Sequence, residues 1–278
     1  MSFSQNFIKS SVLVKQLLSI SFISPNDLVV EIGPGLGIIT QELIDVVREV
    51  IAVEKDRELF ANLKNKFNQA KNLKIFNQDF LDWTLPAKPY KIFSNIPFNI
   101  TAEIIDKLLK SQNKPTEFYF IMQLEAAQKY ILNNQSNAQN SILLAPFYDV
   151  QILGDIDRTS FTPKPQVDIV FVKFVLKDNF LFDLPIYQQF RDFVIFGFNQ
   201  WKANIFEIYK KIFSYDQFKK INHQLKINNL KPSQLNFEQW QKLFDIYIKF
   251  VSPEKKKLIF GFEKIYLKNI RPASLNSH

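Results

Sequence analysis

The chain has no cysteine and only two histidines, His223 and His278. Without thiols there is no disulfide framework, no cysteine nucleophile and no thiolate metal site. With so little imidazole, a histidine-based triad and a multi-histidine metal centre are excluded as well, and no metal is expected. No apolar run approaches the roughly 18 residues that a membrane span needs, and the opening stretch MSFSQNF lacks the basic start and apolar core of a signal peptide. These absences point to a soluble, cytoplasmic protein with no membrane partner. Glycine is also scarce, at six in 278 residues.

What is present is a large apolar fraction, 46%, enough for a sizeable core, and an uneven charge. Residues 1–180 carry 19 basic and 19 acidic side chains, whereas residues 181–278 carry 16 and 8. The whole formal excess of +8 therefore lies in the last hundred residues. A basic region beside a neutral one suits a polyanion, nucleic acid before membrane.

Short β-rich runs alternate with helix-period segments, the pattern of a mainly parallel sheet covered by helices. The expected strands are Leu28–Ile32, Val50–Glu54, Leu73–Asn77, Tyr90–Ser94, Glu117–Met122, Val150–Leu153 and Asp168–Val175. Apolar residues spaced three and four apart predict helices over 38–46, 57–67, 102–110 and 124–132. The loop 158–166 is too short for a helical crossover, so the last two strands should form an antiparallel hairpin closing the sheet. After about Asp178 the strand pattern ends. Segments QQFRDFVIFGFNQW, FEIYKKIF, YDQFKKINHQL and NFEQWQKLFDIYIKF read as helices with aromatic faces, the last with Asn236 as cap and Glu238 in its first turn. The expected organisation is an α/β domain over 1–178 and a small, basic, all-helical domain over 179–278.

Gly33, Gly35 and Gly37, in VVEIGPGLGIITQEL, lie between a strand and a helix, where the missing Cβ lets backbone N–H groups approach a ligand. A dinucleotide fingerprint would need glycine at position 38, which is Ile38, so a nicotinamide cofactor is disfavoured. Glu54 ends the second strand, where a carboxylate can accept the hydroxyls of a ribose. Asp79 follows the third strand, placed to accept from an adenine amine, and Asn95 follows the fourth. All four motifs fall at the carboxyl ends of strands, where ligands bind in such sheets.

The combination of SQNF (4–7), EIGPGLG (31–37), Glu54, QDF (78–80), NIPFNIT (95–101) and FTPKPQVD (161–168) resembles the S-adenosylmethionine-dependent rRNA adenine N6-methyltransferases over roughly residues 3–175. SNIPFNIT and NFEQWQKLFDIYIKF look more like the Erm-type enzymes that methylate 23S rRNA than like the housekeeping small-subunit dimethylases. The resemblance implies a Rossmann-like class I methyltransferase fold with a seven-stranded, mainly parallel sheet and a C-terminal hairpin. It also implies that Gln5, Asn6, Ile8, Gly33, Gly35, Gly37, Glu54, Lys55, Asp79, Phe80 and Asn95 hold S-adenosylmethionine, the N-terminal residues as a lid.

Within that family, the Asn95 side chain and the carbonyl of Ile96 would accept the two protons of the target amine, whose lone pair is otherwise delocalised into the purine. Pro97 would hold those acceptors by fixing φ, and Phe98 would stack on the extruded base, worth about 1–3 kcal/mol. The family more often has Tyr at this position; Phe keeps the π face and loses the hydroxyl. No general base is needed, because a protonated aryl amine loses its proton readily to water. Lys202, Lys210, Lys211, Lys219 and Lys220 would contact rRNA phosphates, which give affinity but read no sequence. The implied activity is methylation of one adenine of 23S rRNA, with macrolide, lincosamide and streptogramin B resistance, by a monomer. A 16S rRNA dimethylase and a catalytically inactive nucleic-acid-binding relative stay open as alternatives.

Overall fold

The computed structural model describes residues 6–270. Gln5, expected in the lid, lies outside the described residues. These fall into two compact units: one comprises the chain up to Gln128 with Phe147–Asp178, the other Lys129–Pro146 with the chain from Asn179 onward.

The first unit is built on seven strands: β1 Leu28–Ile32, β2 Glu49–Glu54, β3 Leu73–Asn77, β4 Lys91–Asn95, β5 Glu117–Gln123, β6 Tyr148–Ile156 and β7 Ile169–Leu176. Their order across the sheet is β3-β2-β1-β4-β5-β7-β6. Pairs β1 to β5 are parallel, and β7 runs antiparallel to both β5 and β6. Six of the strands lie within one residue of expectation. β6 is longer than Val150–Leu153 because its ladder continues past a bulge at Leu153, between Ile152 and Gly154, where the side-chain-free Gly154 meets no crowding.

Helices α1 Ser11–Ser19, α2 Ile38–Val46, α3 Arg57–Lys66, α4 Thr101–Lys110 and α5 Leu124–Gln128 belong to this unit. Because the sheet is buried on both faces, β5 reads as an unbroken apolar run, Phe118 to Met122, fully buried at every position. Tyr119 and Ile121 join the cluster containing α1 and α2, with Phe93 and Phe171. On the opposite side of the pleat, Phe118 stacks on Phe174, its cross-strand partner, at 4.1 Å between ring centroids.

The helix expected over 124–132 stops at Gln128. The polar run beyond it makes its own turn: Asn133 Oδ1 accepts from the N–H groups of Gln135 and Ser136, and Asn137 Oδ1 accepts from the N–H of Asn133. Such side-chain-to-backbone bonds compete with helix continuation. Asn137 Nδ2 then donates to the Leu235 carbonyl, and residues 129–146, placed in the α/β domain by the sequence reading, belong to the helical unit instead. A helix absent from that reading, α6 Gln139–Leu144, lies within them.

The second unit continues with α7 Leu184–Phe198, α8 Ile205–Tyr209, α9 Tyr215–Leu225, α10 Phe237–Phe250, α11 Pro253–Lys256 and α12 Phe262–Ile270. Asn236 caps α10 in a reciprocal box with Gln239 and Glu238 sits in the first turn, as its sequence suggests. Aromatic faces meet in the interior, with Phe193 between Tyr209, Trp240, Phe244 and Tyr247. The segment after Ser252, unplaced by sequence, is fastened to α7. Asp192 accepts from the N–H groups of Gly261 and Glu263, and the buried Arg191 pairs with the Glu263 carboxylate.

Candidate active site at the strand switch point

The sheet reverses its winding between β1 and β4, which are neighbours although two strands separate them in sequence. Crossovers diverge on either side of such a point, leaving a crevice at the carboxyl rim. The ladder between the two strands is short, pairing Val29 with Lys91 and Val30 with Ile92. Beyond it, the buried Ser94 hydroxyl accepts from the Ile32 N–H at 2.7 Å and ties the separating strands together.

Gly33, Gly35 and Gly37 follow β1 with φ of 62°, 56° and 73°. An L side chain is strained in this left-handed region. At Gly35 space matters as well, since a Cβ would stand 2.7 Å from the Phe7 ring. Phe7 is held there because Phe7–Ile8 pairs antiparallel with Phe161–Thr162, in the proline-containing loop before β7. The N-terminal segment is thus a strand edge against a distant loop, and the buried Ile8 is part of the core cluster.

Glu54 ends β2, almost wholly buried, and its two oxygens accept from the N–H groups of Gly35 at 3.0 Å and Asp56 at 2.9 Å. Next to it in sequence, Lys55 reaches Asp79: Nζ to Oδ2 is 2.6 Å. That ammonium holds the Asp79 carboxyl below its ordinary range, and the Leu81 N–H on Oδ1 adds to the effect. Phe80 points inward, with its ring near Trp83 and the Lys107 ammonium.

Asn95 is the last residue of β4. Its Nδ2 donates to the Asn6 carbonyl at 2.8 Å, and its Oδ1 is buried with no hydrogen-bond partner. Ile96 is buried, Pro97 has φ of −61°, and Phe98 opens a short 3₁₀ turn that leads into α4. The Thr101 hydroxyl and the Ile100 N–H both donate to the Pro97 carbonyl, fixing this turn. Phe98 is half-buried, with part of its ring against the core.

A cleft is lined by Asn6, Phe7, Gly33, Asn95, Pro97 and Phe98; an adjoining one shares Phe7, Gly33 and Asn95 and reaches Glu31. The structure therefore brings the N-terminal segment, the glycine turn and the Asn95–Phe98 segment to one place, with Glu54 bonded to the turn. Lys55 and Asp79 form a neighbouring pair. The five lysines belong to the other unit and are all exposed, Lys210 being paired with Glu207 at 2.7 Å.

Glu31 was not singled out by sequence reasoning. It is buried, accepts from the Thr40 hydroxyl at 2.6 Å, and its burial pushes the carboxyl up to about 8, with the Glu54 charge reinforcing the shift. The signal was an acidic residue inside an otherwise apolar strand, LVVEI. Among the described residues no helix is long and apolar enough to cross a membrane, and no group of three or more acidic, imidazole or thiol side chains is arranged to hold a metal.

Sheet order and switch-point turn define a Rossmann-like methyltransferase fold. Solved structures share it: the 23S rRNA methyltransferase ErmE has a TM-score of 0.75 at 23% identity, covering 88% of this chain and 100% of that one. A dimethyladenosine transferase from Plasmodium falciparum has a TM-score of 0.76 at 20% identity, covering 88% and 98%. By sequence, an rRNA adenine N-6-methyltransferase of Limosilactobacillus reuteri is 33% identical over 252 residues, 88% of this chain and 95% of that protein. The ribosomal RNA small subunit methyltransferase A of Colwellia psychrerythraea is 26% identical over 253 residues, 88% and 83% respectively.

The family model for ribosomal RNA adenine dimethylases matches residues 1–249, and the chain belongs to that family. It is an S-adenosylmethionine-dependent rRNA adenine N6-methyltransferase.

Proposed function

We propose that this enzyme methylates the N6 amine of one adenine in 23S rRNA, in the cytoplasm and as a monomer, and thereby confers resistance to macrolide, lincosamide and streptogramin B antibiotics. The observation that carries the chemistry is the buried, unpartnered Oδ1 of Asn95 beside the glycine turn. A buried acceptor without a donor costs about 1–3 kcal/mol, and an amine proton delivered to it would recover that. The target assignment rests on the likeness of SNIPFNIT and the α10 sequence to Erm-type enzymes.

S-adenosylmethionine, when bound, supplies an electrophilic sulfonium methyl. The residues present fit its nucleoside part. Gly33 leaves room for close backbone approach, a Cβ there meeting only Pro97 at 3.9 Å, while Gly35 and Gly37 supply the left-handed turn; Glu54 keeps lone pairs for ribose hydroxyls beyond the two N–H groups it already accepts from; Asp79, held ionised by Lys55, is an acceptor for an adenine amine. Asn6 and Ile8 cover the site by way of the Phe7–Ile8 strand edge.

Asn95 Oδ1 and the Ile96 carbonyl accept the protons of the target amine and so orient it, which is the main catalytic device in this reading. Pro97 holds the two acceptors in register, Phe98 stacks on the extruded base, and its negative face tolerates the positive charge that develops on nitrogen. The amine proton then passes to water. Lys202, Lys210, Lys211, Lys219 and Lys220 grip rRNA phosphates, so affinity should fall steeply with salt.

The small-subunit relatives, such as the Colwellia psychrerythraea protein, support a second reading in which the target lies in 16S rRNA. Primer extension on 23S and 16S rRNA from cells expressing the chain separates the two. A stop at one 23S adenine, the mark of two methyls on N6, is expected; a new stop in 16S rRNA instead would overturn the proposal.

A further inference from the structure

The most heavily bonded ammonium near the candidate site belongs to a residue that the proposed mechanism does not use. Lys107 lies in the last turn of α4 and is half-buried. Its Nζ donates to the carbonyls of Phe80 at 2.7 Å and Leu81 at 2.9 Å and also to that of Trp83, and it lies 5.2 Å from the Phe80 ring centroid. An ammonium has three donors, and all three are spent on one five-residue turn.

That turn is the one that presents Asp79. Asp82 and Trp83 donate their N–H groups to the Asp79 carbonyl, and Leu81 donates to Oδ1. Phe80 and Trp83 anchor the turn in the core. With the N–H groups turned towards Asp79, the carbonyls of Phe80, Leu81 and Trp83 converge on Lys107. A lysine near a helix C-terminus ordinarily extends into water. Burial here disfavours its charge, and the carboxylates of Asp82 and Asp79 offset part of that penalty.

The other end of α4 grows directly out of the Asn95–Phe98 segment, through the 3₁₀ turn and the Thr101 bond to the Pro97 carbonyl. One helix thus carries the proposed base-orienting motif at its start and grips the Asp79 turn at its end.

We infer that Lys107 is a positioning residue: it fixes the Asp79 turn on α4, and so sets the cofactor's adenine subsite relative to the base-orienting motif. This rests on the proposed role of Asp79. Removing the ammonium leaves three converging carbonyls that repel one another, so the turn opens and Asp79 loses its aim.

The test is a double-mutant cycle on S-adenosylhomocysteine affinity, measured by calorimetry, with Asp79→Ala, Lys107→Met and the double variant in the full chain. Lys107→Met should weaken binding about tenfold, the effect of losing charge-assisted hydrogen bonds, while affinity for an rRNA fragment stays at the wild-type value. In the Asp79→Ala background the same substitution should have little further effect. Additive losses, or a wild-type dissociation constant for Lys107→Met, would overturn the inference alone. Normal binding by Asp79→Ala would overturn the Asp79 assignment and the inference with it. If Lys107→Met does not fold, Lys107→Gln, which keeps two of the three donors, takes its place with a smaller expected loss that should vanish in the Asp79→Ala background; additive losses would again overturn the inference.

Discussion

Asn95 gives its amide N–H to the Asn6 carbonyl and keeps its oxygen buried without a donor. The first interaction joins the end of β4 to the N-terminal segment; the second leaves an acceptor in a cleft shared with Gly33 and Phe98. Buried acceptors are rarely left unpaired in a fold. An aspartate here would carry charge and lose the bond to Asn6, and a leucine would lose both interactions, so the amide serves two needs at once.

Phe98 supplies a face and no hydrogen bond. Phe98→Ala should lower methyl transfer to an rRNA fragment between about 5-fold and about 150-fold, the equivalent of one lost stacking contact. S-adenosylhomocysteine affinity should stay near the wild-type value, and Phe98→Tyr should retain activity. Equal rates for wild type and Phe98→Ala would remove the stacking role.

Gly35 faces two constraints at once. Its φ of 56° disfavours any side chain by about 1–2 kcal/mol, and a Cβ would press on the Phe7 ring at 2.7 Å. Gly35→Ala should therefore lower the melting temperature and also weaken S-adenosylhomocysteine binding, by displacing the Phe7–Ile8 strand edge. Gly154→Ala, where a Cβ would meet nothing within 4 Å, should leave binding unchanged. If calorimetry shows the same affinity for Gly35→Ala as for wild type, the Phe7–Ile8 strand edge is not coupled to cofactor binding.

Glu31 makes stability depend on pH in a definite direction. Burial raises its carboxyl from 4.5 to about 8, so between those values the folded chain holds a proton that the unfolded chain has released. The contribution is full below about 4.5 and is lost as pH rises towards about 8. Melting temperatures of Glu31→Gln should accordingly fall less than those of wild type across that window. Parallel curves for the two proteins would contradict the assignment.

Much of this arrangement was legible in the sequence, because strand runs, helix spacing and glycine turns are local signals. Gly33 to Gly37, Glu54 and Asn95 fall where their strands end, and strand ends follow from a period-two or apolar run. What was hidden depends on partners far away in the chain. Phe7 gains its place only by pairing with Phe161–Thr162, and residues 129–146 join the helical unit through bonds such as Asn137 to Leu235. Lys107 was not singled out from the helix expected over 102–110; nothing in its neighbours announces the three carbonyls it holds. Glu31 was visible as a charge within an apolar strand, yet its proton depends on depth of burial, which the sequence does not state.

The most direct measurement is single-turnover methyl transfer to an rRNA fragment by Asn95→Ala and Asn95→Asp, with S-adenosylmethionine and RNA both saturating. Loss of one oriented acceptor should slow Asn95→Ala by about 100-fold or more, while Asn95→Asp, which keeps an oxygen at the same position, should retain measurable transfer. Transfer by Asn95→Ala at the wild-type rate would contradict the claim that the Asn95 oxygen orients the amine.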